Sequence, residues 1–139
     1  MTLLRLLLID PHAKFRESAR KYLLRCREFR SVEVAASYNE GLLLYAQYFP
    51  SLILVDNEYL SRSPQFIKDL EKLKHSGPKL DVLALVLFRD DDFSRCQLFP
   101  HLVSGVIFKE NFSENLLAYL SVRQISPAGR KSSFGEGVD

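Results

Sequence analysis

Asp10, Asp56 and Lys109 stand where apolar runs give way to polar chain. Leu6-Leu7-Leu8-Ile9 leads into Asp10, Leu52-Ile53-Leu54-Val55 into Asp56, and Val106-Ile107-Phe108 into Lys109. Such short apolar runs, bounded by turn residues, read as buried strands. In an α/β protein, buried parallel strands deliver functional side chains at their C-terminal ends. Asp56 is then either a structural acid or the centre of an active site, with Asp10 beside it and Lys109 as the counter-charge. Glu58 adds a further acid two positions beyond Asp56.

The other polar groups suggest less. His12, His75 and His101 are far apart except for His12 beside Asp10, and they read as surface residues without a zinc site. Asp90, Asp91 and Asp92 suit the start of a helix, where acids interact favourably with the helix dipole. Asp10-Pro11-His12-Ala13-Lys14 contains no glycine, which argues against a phosphate-cradling turn and hence against a nucleotide- or flavin-binding enzyme. Cys26 and Cys96 are too widely spaced for a metal pair and read as reduced core thiols, consistent with a cytoplasmic setting.

The elements that position the three charged residues follow from the pattern around them. Leu3 to Ile9, nearly all apolar, suits a central parallel strand. Phe15, Ala19, Tyr22, Leu23 and Cys26 recur at helical spacing and predict a helix from about Ala13 to Glu28. Val32 and Val34 alternate with polar residues, as in a half-exposed edge strand. Asn39 is the expected cap of a second helix, about Glu40 to Tyr48, closed by Pro50. After the Asp56 strand and a loop, Ser63-Pro64 reads as the cap and first residue of a third helix that Gly77-Pro78 stops. Val82 to Phe88 forms a fourth strand and Asp90 opens a short fourth helix. Gly105 to Phe108 is the fifth strand, and Ser113 caps the last helix.

Strand and helix thus alternate five times. With right-handed crossovers this predicts an α/β fold, a five-stranded parallel sheet of flavodoxin-like order 2-1-3-4-5 with helices on both faces. That order puts the ends of strands one and three, hence Asp10 and Asp56, at one crevice. Residues 1–124 form the expected domain; 125–139, with Pro, Gly and Ser and no core pattern, read as a flexible tail or linker. The 139 residues, 47% hydrophobic with a formal net charge of +2, suit one domain and give no charge argument for nucleic acid or an acidic membrane. No apolar run approaches the roughly 20 residues of a membrane helix.

On these residues the chain resembles a response regulator receiver domain. Ile9-Asp10-Pro11-His12-Ala13-Lys14-Phe15-Arg16-Glu17 is similar to the family's Val-Asp-Asp-His-Pro-Leu-Phe-Arg-Glu opening, common in regulators with a helix-turn-helix output. Leu54-Val55-Asp56 resembles the phosphoacceptor strand and Ile107-Phe108-Lys109 the strand bearing the family lysine. The resemblance covers about Leu3 to Arg123 and implies a two-component signalling module that is not itself an enzyme. A sensor histidine kinase or other signalling protein would be its partner, Asp56 the phosphoacceptor and Lys109 its counter-charge. Mg²⁺ would be held by Asp10, Asp56 and the loop at Glu58.

The same resemblance exposes departures. Pro11 replaces the second opening acid, a direct metal ligand in the family, so Mg²⁺ binding is expected to be weakened. Leu87 stands where a Ser or Thr would bond the phosphoryl group, Phe88 fills the next, usually small, position, and Val106 replaces the strand-five aromatic switch. The implied function is an atypical receiver that acts through protein contacts. Its expected form is a homodimer through the face of the fourth helix, fifth strand and fifth helix, with weak or absent phosphorylation and no direct contact with DNA or membrane. The alternative is a working phosphoacceptor that controls a DNA-binding output domain outside these residues.

Overall fold

Two wholly apolar runs, Leu6 to Ile9 and Leu52 to Val55, lie side by side in the sheet. In the computed structural model, which describes residues 4–76, 80–86 and 102–125, β1 (Leu4–Ile9) and β3 (Leu52–Asp56) pair in parallel, with Ile9 opposite Val55. β2 (Phe29–Ala35) flanks β1, while β4 (Asp81–Val86) and β5 (Gly105–Phe108) extend the sheet beyond β3. The order is β2-β1-β3-β4-β5, as the alternation of apolar segments predicts. All of β3 is buried, whereas β2, on the edge, is mostly half-buried.

Side chains of a strand alternate between faces, so each central strand supplies two cores. Leu7, Ile9, Ile53, Val55 and Val82 join one cluster. It is completed by Tyr45 of α2 (Tyr38–Tyr48), Leu60 of α3 (Asn57–Arg62), and Phe66 and Leu70 of α4 (Pro64–Ser76). Leu6, Leu8, Leu52, Leu54 and Ile107 join the other. Its helical side comes from Ala19 and Leu23 of α1 (Ala13–Leu24) and from Phe112, Leu116 and Leu120 of α5 (Phe112–Ile125). Truncating one such buried leucine to alanine costs on the order of 2–5 kcal/mol. The two cores therefore fix the strand ends firmly.

Several helix boundaries differ from the sequence expectation, each for a local reason. Ser37, not Asn39, caps α2: its hydroxyl accepts the Glu40 N–H at 3.2 Å, and the Glu40 carboxylate reaches back to the Ala36 N–H at 2.9 Å. Two orphan N–H groups are thereby satisfied, which the cap at Asn39 would not achieve. α1 stops at Leu24 rather than Glu28, because the Arg25 and Cys26 N–H groups bond the Tyr22 and Leu23 carbonyls in a tightened last turn. The expected loop after Asp56 is helical, with Asp56 itself as the cap of α3. α5 begins at Phe112, after a 3₁₀ turn over Lys109–Asn111, so Ser113 lies inside the helix. Ser63 and Pro64 begin α4 as expected, the Ser63 carbonyl accepting the Ile67 N–H. The expected short helix from Asp90 and the tail after Ile125 lie outside the described residues.

Candidate functional site

Asp10 and Asp56 become neighbours because of strand register. Ile9 pairs with Val55, so the next residue of each strand emerges at the same level of the sheet. Asp10 is fully buried and keeps its backbone in the sheet by donating N–H to the Ala35 carbonyl at 3.1 Å. Its Oδ1 accepts the His12 N–H at 2.7 Å, an Asx turn that bends the chain from β1 into α1. Arg16 closes this turn by donating to the Asp10 carbonyl at 2.8 Å. Asp56 is 5% exposed, and its Oδ1 accepts the Glu58 N–H at 2.8 Å, which is why α3 starts there.

Lys109 starts two strands away. Asp56 pairs with Leu85, and Leu85 with Ile107, so β4 lies between Asp56 and the Lys109 strand. Neighbouring strands lie about 4.8 Å apart, so the lysine stem must cross roughly 10 Å over the end of β4. It does so with its side chain only 5% exposed. Nζ donates to Asp56 Oδ2 at 2.6 Å and sits 2.7 Å from Asp10 Oδ2. The Phe15 ring covers the ammonium, its centroid 4.5 Å away. The Asp10 approach is an ion contact: Oδ2 is buried, and the ammonium 2.7 Å away is the charge that balances it. At an effective dielectric near 20 each contact is worth roughly 6 kcal/mol of gross attraction. Burying each ion costs several kcal/mol, so the net gain is far smaller. One ammonium thus bridges two buried carboxylates.

His12 completes the group. Its Nδ1 lies 3.1 Å from Asp10 Oδ1, 3.4 Å from Asp56 Oδ2 and 3.2 Å from Lys109 Nζ, and its Nε2 is 3.7 Å from Glu58 Oε1. The imidazole is 55% exposed, so it is a surface residue as its sequence context suggests, yet it roofs the two acids. Sequence reasoning missed that role; its one signal was the spacing Asp-x-His after a strand, which an Asx turn folds back on itself. Glu58 lies at the rim, 44% exposed, and its carboxylate reaches His12 and Arg62, the latter at 3.9 Å. Asp10, His12 and Asp56 offer ligand atoms all within 4.8 Å of one another, the one such metal-capable group among the described residues.

Pro11 is half-buried between Asp10 and His12 and offers no oxygen donor from its side chain. Val106 is half-buried against the core under α2 to α4. Leu87 and Phe88 lie outside the described residues. Tyr59, which sequence reasoning did not select, ties α3 to the β2–α2 turn by donating its hydroxyl to the Ala36 carbonyl at 2.8 Å. Burial pushes its phenol pKa up, and the nearby Asp56 and Asp10 carboxylates push it further.

No family model matches the chain, and no curated protein does. Solved structures do. A two-component response regulator of the LuxR family from Aurantimonas is 22% identical with a TM-score of 0.67, covering 95% of this chain and 90% of that one. The signal receiver domain of the putative response regulator NarL from Mycobacterium tuberculosis is 19% identical, TM-score 0.66, with 89% and 98% covered. The receiver domain of the histidine kinase CKI1 from Arabidopsis thaliana, complexed with Mg²⁺, is 19% identical, TM-score 0.62, with 88% and 92% covered. The chain therefore has the receiver fold.

Proposed function

We propose that this chain is an atypical receiver module of a two-component or phosphorelay system, without enzymatic activity of its own, that signals through protein–protein contacts with phosphorylation of Asp56 weak or absent. The observation that carries this reading is Pro11, which offers no side-chain oxygen at the place of the second acid, beside the Asp10–Lys109–Asp56 group. Each Asp56 oxygen already accepts one hydrogen bond, Oδ1 from the Glu58 N–H and Oδ2 from Lys109. A carboxylate oxygen that accepts from a cation is a weaker nucleophile, which slows its attack on a phosphoryl donor.

The residues fit a cation: two buried carboxylates converge, and the Lys109 ammonium now balances their charge. Mg²⁺ would be held by Asp10 and Asp56, with the loop at Glu58 beside them, and when bound would neutralise the clustered acids and phosphoryl oxygens. Here Lys109 already supplies part of that neutralisation, and Pro11 supplies no ligand.

Incubation with acetyl phosphate and Mg²⁺, followed by intact mass, tests the reading. The expected result is no stable gain of one phosphoryl group. A stable gain that disappears in Asp56→Asn overturns it in favour of the second reading, a working phosphoacceptor controlling a DNA-binding output outside residues 1–139. That reading draws on the convergence of Asp10, Asp56 and Lys109 in one crevice.

A sensor histidine kinase or another signalling protein is the proposed partner, in the cytoplasm. Among the described residues no helix is long and apolar enough to cross a membrane. The β5–α5 side is the proposed homodimer face, supported by Val122, an apolar side chain 66% exposed on α5. Sedimentation of the full chain should show a dimer that Val122→Glu dissociates; a monomeric parent chain removes the dimer from the proposal.

A further inference from the structure

We propose that the end of the domain opposite the acid crevice docks on an anionic phospholipid surface, with Arg5, Arg25, Arg27 and Arg30 toward the headgroup phosphates and Leu24 and Phe49 entering the apolar boundary. This goes beyond the signalling reading and needs no phosphorylation of Asp56. Its warrant is an exposed aromatic side chain on a strained backbone, among arginines that no acid neutralises.

The chain brings these residues to one end. α1 finishes at Leu24 and the chain enters β2 at Phe29; α2 finishes at Tyr48 and the chain enters β3 at Leu52. Both connections are bonded to the first residues of β1. The Leu4 N–H donates to the Glu28 carbonyl at 2.9 Å, and the Ser51 N–H to the Arg5 carbonyl at 2.9 Å. The Arg5 guanidinium donates to the Tyr48 carbonyl at 3.1 Å, which satisfies one of the open carbonyls at the end of α2. Asp10 lies past the other end of β1, roughly 20 Å from Leu4 at about 3.3 Å per residue.

Two observations at this end ask for a ligand. Phe49 is the one residue other than glycine with a positive φ among the described residues, at φ 46° and ψ 63°. A left-handed residue at a helix end is usually glycine, because a Cβ is strained there. The Phe49 ring meets Tyr45 edge-on with centroids 6.5 Å apart but stays 61% exposed, so burial does not offset that strain. Arg25, Arg27 and Arg30 are exposed and Arg5 is half-buried, and none of the four has an ion pair among the described residues. The formal net charge of +2 conceals this, because from Lys14 to Arg30 seven bases stand against two acids, Glu17 and Glu28. The expectation of no membrane contact therefore does not hold for this end. Leu24, 54% exposed, and Phe49 stand on helices packed against opposite faces of the sheet. A bilayer is a plane that both can enter at once, whereas a single nucleic-acid strand offers stacking to Phe49 and nothing to Leu24. Arginines beside exposed apolar side chains suit such an interface, guanidinium to phosphate and apolar group below it. The acid crevice then faces away from the bilayer and stays open to a partner.

The test is sedimentation of the full chain with two kinds of vesicle, phosphatidylcholine alone and phosphatidylcholine mixed with phosphatidylglycerol, without any phosphoryl donor. It can therefore fail independently of the acetyl phosphate experiment. The expected result is partition into the mixed vesicles only. Each arginine near an anionic surface contributes about fivefold, so Arg25→Gln combined with Arg27→Gln should lower partition about 25-fold. Phe49→Gly suits the left-handed backbone and keeps the fold, which circular dichroism checks, and it should lower partition about tenfold. A chain that stays in solution with both vesicles overturns the proposal, and if that chain retards a labelled single-stranded DNA, this end serves a nucleic acid instead. Equal partition into both vesicles overturns it as well. So does partition unchanged in Phe49→Gly or in the double arginine variant.

Discussion

At the residue scale, the site is held by a cation that belongs to the protein. Lys109 is nearly buried and touches both acids, so its removal leaves two carboxylates facing each other in a desolvated crevice. Breaking a buried ion pair from one side costs on the order of 3–5 kcal/mol. Lys109→Met should therefore lower the urea-unfolding free energy by about 3 kcal/mol. Asp56→Asn added to Lys109→Met should recover part of the loss, because it removes one of the stranded charges and keeps a hydrogen-bonding side chain. A Lys109→Met variant within about 0.5 kcal/mol of the parent would mean that the ammonium is not closed over the acids. Asp10, Asp56 and Lys109 were legible because each ends an apolar run, and the end of a buried strand has one place to point. His12 and Glu58 were read only in part. Their positions depend on the Asx turn at Asp10 and on the helical start after Asp56, and neither turn has a hydrophobic period to reveal it.

At the scale of elements, α2 packs tightly against β1 under the site. A Cβ added at Gly41 would lie 2.5 Å from Ile9 Cδ1 and 2.8 Å from Cγ1, and Ile9 directly precedes Asp10. Gly41 lets the second helix settle on the strand that carries the site. Alanine has the better helix propensity, by about 1 kcal/mol, but overpacking a core costs about 1–3 kcal/mol. The clash is with a side chain, so it should yield to a smaller neighbour. Gly41→Ala is expected to lower thermal stability, and Ile9→Val in the same chain, which removes Cδ1 but keeps Cγ1, to restore only part of the loss. A stabilising Gly41→Ala would show that Ile9 has room to turn away. The helix starts were less legible than the strands for a related reason. Asn39 and Ser37 are both good caps by composition, and what selects Ser37 is the reciprocal bond from Glu40. Likewise, Asn57–Arg62 has only six residues, too few to show a helical stripe, and its one sequence sign is Asp56 acting as cap.

At the scale of the whole molecule, the strand order was readable because five apolar runs alternate with amphipathic stretches, and right-handed crossovers leave few ways to arrange them. The pairing of α1 and α5 on one face is less visible in sequence, since the aromatic residues that join them are far apart. Phe15 and Tyr22 of α1 both pack edge-on against Phe112 at the start of α5, with ring centroids 5.3 and 6.1 Å away. Burial pushes the Tyr22 phenol pKa up from 10.0 to about 12, and the neighbouring Cys26 and Glu28 reinforce the shift. A raised phenol pKa means that the folded chain keeps this proton after the unfolded chain has lost it. Where the unfolded state binds fewer protons, stability falls as pH rises. Tyr22 therefore contributes fully below the unfolded pKa of 10.0, and that contribution drains away as pH climbs towards about 12. Tyr45 and Tyr59, also raised by burial, act in the same direction. Tyr22→Phe keeps the ring against Phe112 and removes the ionisable oxygen. Urea-unfolding curves followed across this alkaline window should show a steep loss of stability in the parent chain and a shallower one in Tyr22→Phe. Identical slopes would mean that the hydroxyl titrates freely in the folded protein, and that the seam between α1 and α5 is open to water there.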